Sequence, residues 1–583
     1  MSENTTYDRR SFMSYFSSIG LGSTLLPGVL WAKVAGGADI TKETIACAEE
    51  LAGLSFDEKE REMMVEGLRQ HRQNVDALHA VKLDNAVAPA IVFTPLPPGR
   101  TYVGMRHVEG KPTMVRTPVP RRGRPADLEL LAFHSVNELA DLVRRRVVSS
   151  TELTEMYLAR LKKYDPVLKA VVTLTEERAL AQAKAMDAEL AKGKYRGPLH
   201  GIPWGAKDLI AAKGYRTTWG AGPFREQVID EDAEVVKRLD AAGAVLVAKL
   251  SSGELAQGDR WFGGMTRNPW KPEQGSSGSS AGPASAVAAG LVGFAIGSET
   301  LGSISSPATR NGATGLRPTF GRVPRTGAMA LSWTMDKLGP LCRSVEDCAL
   351  VLDAIHGPDG RDLAAVPGRP FVWNASAPLS AIRVGYFKAA FDVPEVDPKD
   401  EKRRLHATKK FDDEALRALQ QLGVRPVPVE IPDLPYAAMR MILTAEAAAA
   451  FDELTRSGRD AELVNQERFD WPNTFRTARF ITAVDYINAN RVRTLAIQDW
   501  DRLFREVDVV VTPTNYGGAP SQLVATNLTG HPAVIVPAGF NDDGTPVSLT
   551  FLGGLFEEAR LLAVANAWQR ATGHHTRHPV VPV

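Results

Sequence analysis

The period of the apolar positions changes along this chain, and the change marks its organisation. Residues 56–81 are charged and helix-favouring, with Met63, Met64, Leu68, Val75 and Leu78 forming a partial apolar stripe at helical spacing. A turn-rich stretch follows, carrying Pro89, Pro95, Pro97, Pro98 and Gly99 and running through basic sequence to Pro125. From about Leu128 helical stripes alternate with short apolar runs. Ser135-Val-Asn-Glu138 has capping-box spacing, and Leu139, Leu142 and Val143 continue the helical face. Residues 232–242 read as a helix ended by Gly243, and Ala244-Val-Leu-Val-Ala248 as a buried strand. Ser344 is placed to cap a helix through His356. Residues 284–292 are small and apolar enough for a buried helix. Residues 507–511, 532–536 and 546–551 read as strands, and residues 558–571 as a closing helix. This alternation predicts an α/β fold, a sheet with helices on both faces. Residues 387–505 read as mostly helical and are expected to frame a pocket.

Three segments are expected: 1–38, 39–127 as an N-terminal extension of helix plus Pro-rich linker, and 128–583 as the main domain. The extension carries no motif of its own, and its expected role is to wrap or cap the main domain. At its head, Asp8-Arg-Arg-Ser-Phe-Met13 resembles a twin-arginine export signal, and no charge occurs between Arg10 and Lys33. Glycines, serines and Pro27 make that segment a poor transmembrane helix, so no stable membrane span is expected apart from an uncleaved signal. Cleavage is expected near residues 32–38. The expectation is export to the periplasm; the competing reading is a cytoplasmic protein with a chance arginine pair before an ordinary buried segment.

With 44% hydrophobic and 23% charged residues, the 583-residue chain can bury a large core. Its net charge of +1 supplies no field to draw nucleic acid or anionic membrane, and no nucleic-acid partner is expected. The basic runs Arg121-Arg122 and Arg144-Arg-Arg146 read as solvated faces. Cys47, Cys342 and Cys348 make no disulfide framework or zinc spacing, and Cys342 and Cys348 read as buried thiols rather than a pair. His574-His575 reads as a solvated pair rather than a ligand cluster, so no metal and no organic cofactor is expected.

Candidate chemistry is concentrated in two places. Lys207 ends the apolar run of Gly201-Ile-Pro-Trp-Gly-Ala-Lys-Asp208; taken alone, it is a surface residue that Asp208 pairs with or a buried functional amine. The run Gly275-Ser-Ser-Gly-Ser-Ser-Ala-Gly282 has the composition of a flexible linker, yet it leads straight into a core element. Within it Gly278-Ser-Ser-Ala-Gly282 also satisfies the nucleophile-elbow pattern, which would make Ser280 the nucleophile. That elbow needs a buried strand immediately before it, and Asn268-Pro-Trp-Lys-Pro-Glu-Gln274 reads as no such strand.

Taken together, three motifs in order resemble the amidase signature family of serine amidohydrolases, from about Ser135 to the end. These are the lysine motif just quoted, Gly278-Ser-Ser-Ala-Gly-Pro-Ala-Ser-Ala-Val-Ala-Ala-Gly290, and Gly297-Ser-Glu-Thr-Leu-Gly-Ser-Ile304 running on to Gly315-Leu-Arg-Pro-Thr319. Asp336-Lys-Leu-Gly-Pro340, Arg343-Ser-Val-Glu-Asp347 and Asn527-Leu-Thr-Gly-His-Pro532 add to the likeness. The resemblance implies a large mixed, twisted sheet covered by helices on both faces. It implies Ser303 as nucleophile, Ser279 as a bridging serine in a cis peptide, Lys207 as base, and the backbone N–H groups of Thr300, Leu301, Gly302 and Ser303 as the oxyanion hole. A serine hydroxyl attacks only when a base takes its proton, and a lysine serves near pH 7 only where burial depresses its pKa. The implied activity is hydrolysis of a small-molecule carboxylic amide through an acyl-enzyme, with no cofactor and with a homodimer compatible. The alternatives are an amidotransferase component that acts on aminoacyl-tRNA and an inactive binding protein of the same fold. Three positions depart from the family's pattern: Glu299 where Asp is usual, Leu301 where Gly is common, and Ser305 where Arg often follows the nucleophile. The last puts transfer of substrate preference in doubt.

Overall fold

The computed structural model describes residues 39–52, 54–81, 91, 114–366, 370–515 and 522–582. The twin-arginine-like segment and most of the Pro-rich linker lie outside them. Eleven strands form one mixed sheet: β1 (Val171–Leu174), β2 (Pro203–Lys207), β3 (Val245–Leu250), β4 (Phe294–Glu299), β5 (Thr314–Arg317), β6 (Lys337–Cys342), β7 (Val384–Phe387), β8 (Val427–Val429), β9 (Val509–Pro513), β10 (Ala533–Phe540) and β11 (Pro546–Gly553). Their order across the sheet is β1-β3-β2-β4-β6-β5-β10-β11-β9-β7-β8. Strand β2 runs parallel to both neighbours, with Ala206 opposite Ile296 on β4 and Lys249 on β3. Strand β6 is antiparallel to β4 and β5.

Helices cover both faces of the sheet, so its middle strands are buried on both sides and lose the in-out alternation of a half-exposed strand. Every residue of β2, β3, β4, β6 and β11 is buried. Trp204 of β2 stacks against Phe294 of β4 with ring centroids 5.9 Å apart. On the β3 side Gly205 leaves room for a neighbour, because a Cβ there would come within 2.3 Å of Leu250 Cδ1. Strand β2 is thereby clamped, and Lys207 is carried at its buried C-terminal end.

The extension folds as α1 (Lys42–Ala52) and α2 (Glu58–His79), the latter opened by an Asp57/Glu60 capping box. Ile45, Phe56, Met64 and Leu68 form a small cluster with Phe480, while Val75 and Leu78 join the main core. Five further helices matter below: α3 (Ala281–Ala288), α4 (Ser305–Asn311), α5 (Trp471–Ala478), α6 (Ala483–Glu506) and α7 (Gln522–Thr529). Helix α2 packs on α5 and α6, and Glu60 reaches Arg476 at 2.8 Å, an arginine that Asp460 also holds at 2.7 Å.

Several sequence expectations need correction. The buried helix expected at 284–292 is α3, which stops at Ala288; Gly290, at φ +66°, turns the chain so that β4 starts at Phe294. The stretch 268–274 holds, as expected, no buried sheet strand; its short strand Lys271–Gly275 pairs instead with Arg267–Asn268 in a small hairpin. His574 and His575 are half-buried in a 3₁₀ turn rather than solvated; burial, and then the neighbouring His574, push His575 down to about 4. Cys342 and Cys348 are buried free thiols. No helix among the described residues is long and apolar enough to cross a membrane.

Candidate active site

Lys207 is fully buried at the end of β2. Its Nζ donates to Ser279 Oγ at 2.7 Å and to Ser298 Oγ at 2.9 Å. Loss of water around the amine pushes its pKa well below the ordinary lysine value; the Asp336 and Glu299 carboxylates oppose that shift without cancelling it. Asp208 takes no part. It accepts from the buried Lys249 at 2.9 Å and from Thr218, so it is not the partner that a surface reading of Lys207 would need.

Ser279 lies in a loop that the surrounding backbone pins. The Gly278–Ser279 peptide bond is cis. Ser277 N–H donates to Asp259 at 2.8 Å, the Ser279 carbonyl accepts from Gly253 N–H at 3.1 Å, and a Cβ on Gly278 would fall 1.7 Å from the Gly258 carbonyl oxygen. A flexible linker has no such constraints. Ser280, the elbow candidate, points elsewhere: its hydroxyl donates to the Ser298 carbonyl and accepts the Ser298 N–H, each at 3.1 Å. Ser280→Ala is therefore expected to leave amide turnover within a few-fold of wild type and to cost about 1–3 kcal/mol through the orphaned Ser298 N–H, read by chemical denaturation. Loss of turnover in a folded Ser280→Ala protein would restore the elbow.

Ser303 stands on the loop between β4 and α4, and its carbonyl accepts the Ser280 N–H at 3.0 Å, which ties the two serine loops together. It is 9% exposed. No hydrogen bond joins the Ser303 and Ser279 hydroxyls among the described residues. The structure thus brings Lys207 and Ser279 into contact and places Ser303 on the adjoining loop. Gly302 takes φ +96°, a conformation that side-chain-bearing residues rarely adopt. The N–H groups of Leu301, Gly302 and Ser303 donate to no acceptor among the described residues. Leu301 is half-buried against the core, and the Thr300 hydroxyl donates to Asp336 at 2.6 Å.

Glu299 anchors this loop from below. Its Oε1 accepts from Arg317 at 2.7 Å and Asn527 at 2.8 Å, and its Oε2 accepts the Ile304 and Ser305 N–H groups and the Ser305 hydroxyl at 2.8–2.9 Å. Burial pushes its carboxyl up, but Arg317, Asn527 and Ser305 outweigh that and hold it at about 2. Two of the unusual positions, Glu299 and Ser305, are therefore partners inside one buried network. The Ser305 side chain is spent on Glu299 rather than offered to a substrate. Motif reading assigned no role to Ser298, Asp336, Arg317 or Asn527, although all four lie in the quoted stretches. Lys249 lay outside any motif, and only its place in a buried strand could have marked it. No group of three or more His, Cys, Asp or Glu side chains that would hold a metal ion occurs among the described residues.

The pattern of the family described as Amidase matches residues 152–523. A glutamyl-tRNA(Gln) amidotransferase component from Methylococcus capsulatus is 36% identical over 485 residues, covering 76% of this chain and 98% of that protein. The peptide amidase from Stenotrophomonas maltophilia superposes with a TM-score of 0.66 at 30% identity, covering 78% of this chain and 99% of that one. A bacterial aryl acylamidase of the amidase signature family shares the fold, with a TM-score of 0.64 at 24% identity over 77% of this chain and 99% of that one. With the family pattern spanning more than half its length, the chain belongs to the amidase signature family.

Proposed function

We propose that this protein is a serine amidohydrolase that cleaves a carboxylic amide through an acyl-enzyme. The observation that carries the reading is the buried contact between Lys207 Nζ and Ser279 Oγ beside the Ser303 loop. Burial without a paired anion favours the uncharged form of an amine, and an uncharged amine can take a proton from the hydroxyl it touches. In the proposed sequence the Ser303 proton passes through Ser279 to Lys207 as Ser303 Oγ attacks the amide carbon. The Leu301, Gly302 and Ser303 N–H groups, with Thr300 at the head of the loop, receive the developing oxyanion. The proton on Lys207 returns to the leaving nitrogen, ammonia or amine departs, and water hydrolyses the ester by the same route. No step calls on a metal or organic cofactor. The twin-arginine-like N-terminus fits an exported enzyme acting on small molecules, and a homodimer is compatible with the reading.

A second reading is an amidotransferase component, favoured by the match to nearly the whole length of the Methylococcus capsulatus protein. Purified chain, alone, is therefore to be tested on arylamides, peptide C-terminal amides, fatty amides, aliphatic amides, carbamates and glutamine. Turnover of at least one amide class, absent from Ser303→Ala, is the expected result. Ammonia release only in the presence of a partner protein and aminoacyl-tRNA would decide for the second reading, and no turnover under any condition for an inactive binding protein.

A further inference from the structure

One acid beside the lysine has no task in the sequence of steps above. Asp336 sits immediately before β6, where Oδ1 accepts from Thr300 Oγ1 at 2.6 Å and Oδ2 accepts the Leu331 and Ser332 N–H groups at 2.8 and 2.9 Å. All three donors are neutral. Asp336, Thr300 and Ser298 line one small cavity whose other walls include Leu209, Met329 and Leu338. Ser298 is the residue whose hydroxyl accepts from Lys207 Nζ at 2.9 Å, so the acid and the amine are separated by hydroxyl groups and apolar walls rather than by bulk water. Charges interact strongly across such a medium.

The remaining charged groups around Lys207 are committed to others. Glu299 is neutralised by Arg317 at 2.7 Å, and Asp208 by Lys249 at 2.9 Å. Glu254 is spent on the Val464 and Asn465 N–H groups, and Asp259 on that of Ser277. Arg325, on the wall of the same cavity, is held by Asp362 at 2.9 Å, and the Lys337 amine, pushed down by its own burial, donates to the Met335 carbonyl. Among these carboxylates Asp336 is the one that shares a cavity with Ser298, the hydroxyl Lys207 touches, and no cation pairs with it at contact distance among the described residues. Burial pushes it up from the ordinary carboxylate range, against the pull of Thr300 and the two amides.

We propose that Asp336 is a positioning residue of this site: it is the counter-charge that sets the pH at which Lys207 becomes a free base, and the tether that holds Thr300 at the head of the N–H loop. The inference rests on the reading of Lys207 as the base. An anion here favours the protonated lysine, so its removal lets Lys207 lose its proton at lower pH, and catalysis then extends further into acid.

The test is the pH profile of kcat/KM for the full chain with whichever amide it turns over. In Asp336→Asn the acidic limb is expected to fall by about one pH unit. In Asp336→Glu, which restores the charge, it is expected to return to the wild-type position. Thr300→Val, which cuts the tether and keeps the charge, is expected to lower kcat about tenfold while moving the limb far less. A folded Asp336→Asn enzyme with the wild-type limb overturns the proposal. If that variant does not fold, Asp336→Ser decides: it also removes the charge while leaving an oxygen that can accept from the neighbouring N–H groups, so the limb must fall, and an unmoved limb overturns the proposal equally. Lys207→Ala separates this inference from the reading beneath it. If Lys207→Ala abolishes fluorophosphonate labelling while Asp336→Asn leaves the limb in place, only the role of Asp336 is lost. Wild-type labelling of Lys207→Ala would remove the lysine as base and the reading of the site with it.

Discussion

Ser303→Ala is expected to abolish turnover, by about a thousandfold or more, and to leave the fold unchanged. The side chain is small, the residue is 9% exposed, and its hydroxyl makes no hydrogen bond to another side chain among the described residues, so its removal orphans nothing. The Ser303 carbonyl, which fastens Ser280, is backbone and survives the substitution. A fluorophosphonate probe is expected to form its adduct on Ser303, located by peptide mapping, and to leave Ser303→Ala unlabelled. An adduct on Ser280 would mean that the hydroxyl now seen clasping the Ser298 backbone is freed in the working enzyme, and would overturn the assignment of the nucleophile.

The second large effect is on stability. Glu299→Gln removes the negative charge facing Arg317 where both side chains are fully buried. Breaking a buried pair from one side costs about 3–5 kcal/mol, because the remaining charge cannot reach water. The amide nitrogen must also face either Arg317 and Asn527 or the Ile304 and Ser305 N–H groups, and each choice sets donor against donor. Denaturant unfolding is expected to show a lowered midpoint, with activity falling too because the loop after Ser303 loses its anchor. Full stability in Glu299→Gln would mean that the network contributes nothing net. The wild type carries a pH signature of the same pair. The folded carboxyl is held at about 2 against an ordinary 4.5, so its contribution is complete above about pH 4.5 and is lost as pH falls toward 2. Glu299→Gln is expected to lose that part of the acid sensitivity.

What could be read from the chain and what could not divide along physical lines. Local signals held where the structure is local: the Ser135 and Ser344 caps, the end of a helix at Gly243, and the buried runs that became β3, β10 and β11. The three motifs named the family because each is a contiguous stretch whose order along the chain can be checked. Contacts between stretches were not legible in this way. Nothing in the order of residues says that Asp208 turns to Lys249 and away from its neighbour Lys207, or that Glu299 and Ser305 are partners. The departure at Ser305 read as a lost charge beside the substrate; in three dimensions its hydroxyl is committed to the longer acid at 299. Pairings of this kind depend on which loops the sheet order brings together, and that order, with β2 between β3 and β4, is not written in any one segment.

Arg476 has a consequence for how such a chain is handled. It is gripped at once by Glu60 of the extension and by Asp460 of the main domain, on a helix whose Trp471 indole N–H donates to the Leu255 carbonyl. The family relatives align with about three-quarters of this chain, which makes the extension look dispensable. A version trimmed to start at Leu128 would strip one partner from a buried arginine and uncover the surface of α5 and α6 that α2 now shields. The helices of the extension act as a wall of the fold, one that an engineer cannot take down without also rebuilding the room behind it.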